Sequence, residues 1–108
     1  MAKRRVPQDE PDPTQSVQDE FYPKGRKRGI LVRIQAEFSR AGQLLRYSMV
    51  LIDARNQAAD NGRVLGYDNA HGYHHRHHLG QVEPVEFKSY EDILERFETE
   101  YRQYLDQG

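Results

Sequence analysis

Two stretches of this chain alternate apolar and polar residues one by one. Among regular elements, that period belongs to a strand with one face buried. In the first, Ile30, Val32, Ile34, Ala36 and Phe38 fall on one side, with Arg33, Gln35 and Glu37 on the other. In the second, Leu44 to Asp53, Tyr47, Met49 and Leu51 oppose Arg46, Ser48, Val50 and Ile52. It is apolar on both faces towards its end, as a central strand would be. Ser39-Arg40-Ala41-Gly42-Gln43 between them has the length and the glycine of a hairpin connection. A polar loop from Ala54 ends in Asn61-Gly62, a tight-turn signal. Arg63–Asp68 then reads as a third strand, and Val82–Phe87 as a short fourth one that Pro84 pushes to an edge.

The C-terminal segment switches to helical spacing. Ser89-Tyr90-Glu91-Asp92 has the form of a capping box, with Ser89 accepting from the first-turn amides. Tyr90, Ile93, Leu94, Phe97, Tyr101, Tyr104 and Leu105 make one wide aromatic stripe. The expected fold is therefore α+β: an antiparallel meander of three or four strands with one C-terminal amphipathic helix packed on it. Part of the stripe is also a candidate homodimer surface.

At 108 residues the chain has room for one domain. Residues 1–27 read as a flexible, disordered tail. Pro7, Pro11, Pro13 and Pro23 interrupt it, and large apolar residues are scarce before Phe21-Tyr22, so ordering it would go uncompensated. The domain is placed at 28–108. Lys and Arg number 16 against 17 Asp and Glu, too even a balance for bulk attraction to nucleic acid, so any such contact is local. There is no cysteine, hence no disulfide, thiolate metal site or cysteine nucleophile. No apolar run is long enough for a membrane span, and the basic start Lys3-Arg4-Arg5 is not followed by a signal-type stretch, so the expected location is cytoplasmic with no membrane contact.

All five histidines lie in His71-Gly72-Tyr73-His74-His75-Arg76-His77-His78, directly after Tyr67-Asp68-Asn69-Ala70. Imidazole is the side chain best suited to proton exchange or metal binding near neutral pH. If the segment is extended, imidazoles point to both faces of it; if it is an irregular loop, several can converge. One reading is a metal-independent ribonuclease site. There, histidines serve as base and acid, Arg76 meets the phosphate charge, and Asp68 orients a ring. His71, His74, His75, Arg76, His77, His78 and Asp68 are then the catalytic candidates. Tyr67, Asn69, Tyr73 and Arg46 are the candidate substrate contacts, the tyrosines as faces for unpaired bases. A second reading gives His71, His74, His75, His77 and Asp68 to a divalent metal such as zinc or nickel in a non-catalytic module that responds to metal or nucleic acid. A third leaves the cluster as a solvated loop. Asp68 and Asn69 can equally shape a turn, and Tyr47 and Tyr67 can equally be core aromatics.

The run Arg63-Val64-Leu65-Gly66-Tyr67-Asp68-Asn69-Ala70, followed by clustered histidines, resembles the TumE-like family of small prokaryotic toxins. Tyr47-Ser48, ahead of Asp60-Asn61-Gly62, resembles that family's paired strands. The resemblance implies the toxin of a type II toxin–antitoxin pair, with a helix-turn-helix antitoxin as partner and RNA as a possible target. It carries over Tyr67, Asp68, Asn69 and His71, and with them His74, His75, His77 and His78. The family pattern often has a proline after the alanine, where this chain has His71.

Overall fold

The computed structural model describes residues 13–23, 29–56 and 60–107. They form one antiparallel sheet and one helix. The strands β1 (Pro13–Phe21), β2 (Ile30–Ser39), β3 (Leu44–Asp53), β4 (Arg63–Asp68), β5 (His75–His78) and β6 (Gln81–Pro84) lie side by side in chain order. The helix α1 (Tyr90–Gln107) covers one face. The class is the α+β arrangement anticipated, but the sheet has six strands rather than three or four.

The two extra strands escaped the sequence for different reasons. β1 lies inside the stretch read as a tail. Its side chains from Gln15 to Glu20 are exposed, so it joins the sheet through its ladder to β2 and needs no apolar alternation. The rest of that tail, residues 1–12 and 24–27, lies outside the described residues. β5 is made of histidines and one arginine, a composition with no strand signature. The last strand ends at Pro84, an edge position where the missing amide costs nothing. Phe87, expected within it, leaves the sheet instead.

Alternation in β2 and β3 does what its period requires. Ile30, Val32, Ile34 and Ala36, with Tyr47, Met49 and Leu51, are buried on the helix side beside Leu65 and Tyr67 of β4. From α1 come Ile93, Phe97, Tyr101 and Leu105, spaced by four so that all fall on one stripe and into the same core. Ser89 caps the helix as expected, its Oγ accepting from the Asp92 amide at 3.0 Å. The apolar stripe is occupied by the sheet, and the helix turns Glu91, Glu95, Thr99, Arg102, Gln103 and Asp106 to solvent.

Two polar clamps fix the helix on the sheet. Glu100 accepts from the Tyr67 hydroxyl at 2.6 Å and from Arg76 Nη2 at 2.9 Å. Nearer the C-terminus, the Tyr104 hydroxyl donates to Asp53 Oδ2 at 2.7 Å. Asp53 is only 2 % exposed, and it also accepts from the Arg55 guanidinium (2.8 Å twice) and the Arg55 amide (3.0 Å). The Arg55 hydrogen bonds, with help from Tyr104, hold its carboxyl well below the usual carboxylate range against the opposing effect of burial.

A depressed carboxyl pKa contributes stability that is complete above the unfolded value, about 3.9, and drains away as pH falls. Asp53→Asn is therefore expected to lower stability by about 1–3 kcal/mol near neutral pH. In urea titrations across pH, the variant should lose less stability than the natural chain below about pH 4. Parallel acid limbs for the two chains would show that Asp53 does not carry this term.

Candidate functional site

The site begins where β4 stops. Asp68 ends the strand, and its Oδ1 accepts from the Ala70 amide at 2.9 Å, a side-chain-closed turn. Asn69 then replaces a strand partner with its own carboxamide: Oδ1 accepts from the Tyr47 amide at 3.1 Å and Nδ2 donates to the Leu45 carbonyl at 3.2 Å. The ladder of β3 is thus continued by a side chain while the main chain turns away. His71 and Gly72 make the turn with φ of 66° and 85°, a left-handed pair that costs a histidine more than a glycine.

From there the chain comes back as β5 in fixed register, with Asp68 opposite His75, Tyr67 opposite Arg76, Gly66 opposite His77 and Leu65 opposite His78. The segment is therefore neither a continuing strand nor an irregular loop but the return arm of a hairpin, and the period of two sorts its side chains. Arg76 shares the helix face with Tyr67 and is held by Glu100 and, at 3.1 Å, by Glu83. His75 and His77 fall on the opposite face with Asp68. His75 Nε2 lies 2.9 Å from Asp68 Oδ1, and His77 Nε2 lies 3.1 Å from Asp68 Oδ2. His75 Nδ1 lies 3.1 Å from the Tyr73 carbonyl oxygen, which can only accept, so that nitrogen carries a proton.

Only part of the histidine cluster converges. Asp68, His75 and His77 come together. His71 stays exposed on the turn, and His78 is exposed on the helix side. His74 is packed against Phe87, with ring centres 4.0 Å apart, and its Nδ1 shares a 2.9 Å hydrogen bond with the Tyr47 hydroxyl. Burial, then the neighbouring His75, lowers the His74 pKa. Tyr67 is buried beneath α1, and burial, then Glu100, pushes its phenol up to about 12. Tyr47 is likewise pushed up to about 12, by burial and then Asp68. Both phenols therefore stay protonated near neutrality. Tyr73 is 45 % exposed, its ring tilted against that of His75 with centres 4.7 Å apart.

One cation that acts on His77 is Arg63, which is itself held by Asp60 at 2.6 Å. Burial lowers the pKa of His77 first, and Arg63 next. Gly66, opposite His77, makes room for that arginine: a Cβ there would sit 3.2 Å from Arg63 Cδ and 3.3 Å from the Met49 carbonyl oxygen. A glycine in the middle of a strand is a legible sign of such close approach. Glu100 and the Tyr73 carbonyl left no sign, because their roles depend on the hairpin register.

A shallow groove of about 620 Å3 runs from this corner across the uncovered sheet face. Gln18, Gln35, Arg46, Ser48, Asp68 and Asn69 are among its walls, so Asp68 and Asn69 stand at its head while Arg46 lies along it. The volume suits a ligand of nucleotide size. Arg46 meets Glu37 at 2.6 Å and Arg33, on the same face, meets Glu20 at 3.2 Å, both in exposed pairs.

A family model described as Toxin TumE matches residues 3–105. The chain belongs to the Toxin TumE family. The resemblance seen in the Tyr67–Ala70 run thus extends over nearly the whole chain, and it makes the protein a toxin of a toxin–antitoxin system, with an antitoxin as counterpart. No curated protein and no solved structure matches the chain. Among the described residues, no helix is long and apolar enough to cross a membrane.

The part given to Asn69 has a direct test. Asn69→Asp keeps the acceptor for the Tyr47 amide but turns a second oxygen towards the Leu45 carbonyl. It should cost about 1–3 kcal/mol in urea unfolding. A loss below about 0.5 kcal/mol would mean the side chain does not hold the β3 ladder.

Proposed function

We propose that the protein is a toxin that cleaves RNA on the uncovered sheet face, at the head of the groove, with Asp68, His75 and His77 as its reactive cluster. The observation that carries this reading is the convergence of His75 and His77 on Asp68, which lines the groove together with Arg46. In RNA cleavage the 2′-oxygen attacks phosphorus and the bond to the 5′-oxygen breaks, leaving a 2′,3′-cyclic phosphate. The hydroxyl proton leaves to the cluster, and the departing 5′-oxygen takes one up. Burial and Arg63 favour the unprotonated form of His77, whose lone pair is then open to a proton or to a cation.

Phosphate charge would be met by Arg46 and Arg33. Their exposed pairs with Glu37 and Glu20 are worth only about 0–1 kcal/mol each, so a phosphate can displace the carboxylates. Tyr73 offers the stacking face for an unpaired base. Arg76 has no place in this chemistry: its guanidinium ties β5 to α1. His71, His74 and His78 stand outside the cluster. The partner in this reading is a helix-turn-helix antitoxin encoded with the toxin, and the site of action is the cytoplasm.

The test is tightly induced expression in a bacterial host with and without the antitoxin. The natural chain and a His71→Ala/His78→Ala variant should both arrest growth, with full-length RNA lost at the onset of arrest. A His75→Ala/His77→Ala variant, shown folded and equally abundant, should form at least about 100-fold more colonies under induction than the natural chain. Arrest with intact RNA would remove the ribonuclease reading and leave the toxin. No arrest by the natural chain would favour a binding module that uses the same side chains.

A further inference from the structure

We infer that Asp68, His75 and His77 form a site for one divalent transition-metal ion of the zinc class, held by a carboxylate oxygen and two imidazole Nε2 atoms. This deepens the proposed function, since it assigns a cofactor to the same cluster and rests on the cluster being the working site.

Four features of the cluster point to a metal. The three candidate ligand atoms lie within 4.8 Å of one another, two of them on alternate residues of β5 and the third directly across the ladder on β4. Ligands about 2.1 Å from a tetrahedral ion stand roughly 3.4 Å apart. The imidazoles contact different oxygens of Asp68, His75 Oδ1 at 2.9 Å and His77 Oδ2 at 3.1 Å, so one of these contacts opens by a few tenths of an ångström and the second ring moves towards the same oxygen.

The second feature is charge. Both ring nitrogens of His75 face oxygens, Tyr73 O at 3.1 Å and Asp68 Oδ1 at 2.9 Å, and the residue is 4 % exposed. A cation seated between Nε2 and the carboxylate meets the negative oxygen while Nδ1 keeps its contact with the Tyr73 carbonyl.

Third, the outer contacts have the arrangement metal sites use. A ligating histidine commonly donates its other N–H to a backbone carbonyl, which fixes the ring and raises its basicity. His75 does so to Tyr73. Fourth, the donor set selects the ion. Two imidazoles and one carboxylate suit zinc, cobalt, nickel or iron, whereas calcium and magnesium prefer all-oxygen shells. At the groove head such an ion would supply Lewis-acid polarisation of a phosphate oxygen.

The rival is loose binding by a histidine-rich tract. The structure separates the two, because His71 and His78 belong to the tract and lie outside the cluster. The full chain, purified without a histidine tag and stripped with chelator, is titrated with zinc by calorimetry and with cobalt by visible absorption. The expected result is one ion per chain, tetrahedral cobalt bands, and affinity at least about 100-fold weaker in His75→Ala and in His77→Ala. His71→Ala/His78→Ala should stay within about threefold of the natural chain. Affinity that falls with His71 and His78 instead, or no saturable binding below millimolar zinc, overturns the inference. Should the single variants fail to fold, the cobalt-loaded natural chain still decides. Paramagnetically shifted imidazole resonances from His75 and His77 support the site, and shifts from His71 or His78 overturn it. RNA cleavage is followed in parallel. Cleavage by a chain that binds no ion would sink the metal and keep the ribonuclease. One bound ion with intact RNA would do the reverse.

Discussion

The hydrogen-bonded register between β4 and β5 is the constraint on which the site depends. Asp68 opposite His75 sets every later pairing, and side chains on a strand change face at each residue. A slip by one position would carry His75 and His77 under the helix and bring Arg76 out beside Asp68. Nothing in the composition of β5 resists that slip, because it has no apolar residue to choose a side. Resistance comes from the turn: Asp68 closes it through the Ala70 amide, and Asn69 ties its first residue into the β3 ladder. Asp68, a catalytic candidate in the sequence, and Asn69, a candidate substrate contact, thus act as the hairpin's architecture.

Helix and site are coupled through the same two strands. Glu100 accepts from Tyr67 on β4 and from Arg76 on β5, so a single carboxylate on α1 grips both arms of the hairpin. That contact explains an arginine in the middle of the histidines without giving it a role in chemistry. Charge beneath the helix must be paired to be tolerated, and Arg76 and Glu100 satisfy each other there. On the far face one cation that acts on His77 is Arg63, admitted by the missing side chain at Gly66. One arginine thus lies on each side of the hairpin, Arg76 paired with Glu100 and Glu83, and Arg63 paired with Asp60.

Much of this was legible beforehand. The alternation in Ile30–Phe38 and Tyr47–Leu51, the spacing of Ile93, Phe97, Tyr101 and Leu105, and the Ser89 cap are direct consequences of burial on one face, and the sequence reading placed them. β1 was illegible because both its faces are wet, so its pairing with β2 leaves no hydrophobic pattern. β5 was illegible because imidazole has no strand preference strong enough to mark it. Within the site, the residue types were visible and their grouping was not: five histidines offered many triads, and only the register selects His75 with His77. The phenols of Tyr47 and Tyr67 fell to the core, as their positions on apolar faces allowed.

The central claim is that Asp68 gathers His75 and His77 on the uncovered face. Long-range proton–nitrogen NMR of the imidazoles in the metal-free chain near neutral pH tests it most directly. The account predicts a His75 ring with a slowly exchanging proton on Nδ1, bonded to Tyr73, and ring-to-ring contacts between His75 and His77. His71 and His78 should look solvent-exposed. Five equivalent, fast-exchanging rings, or a His75 that contacts Arg76's partners under the helix, would contradict the register and with it the site.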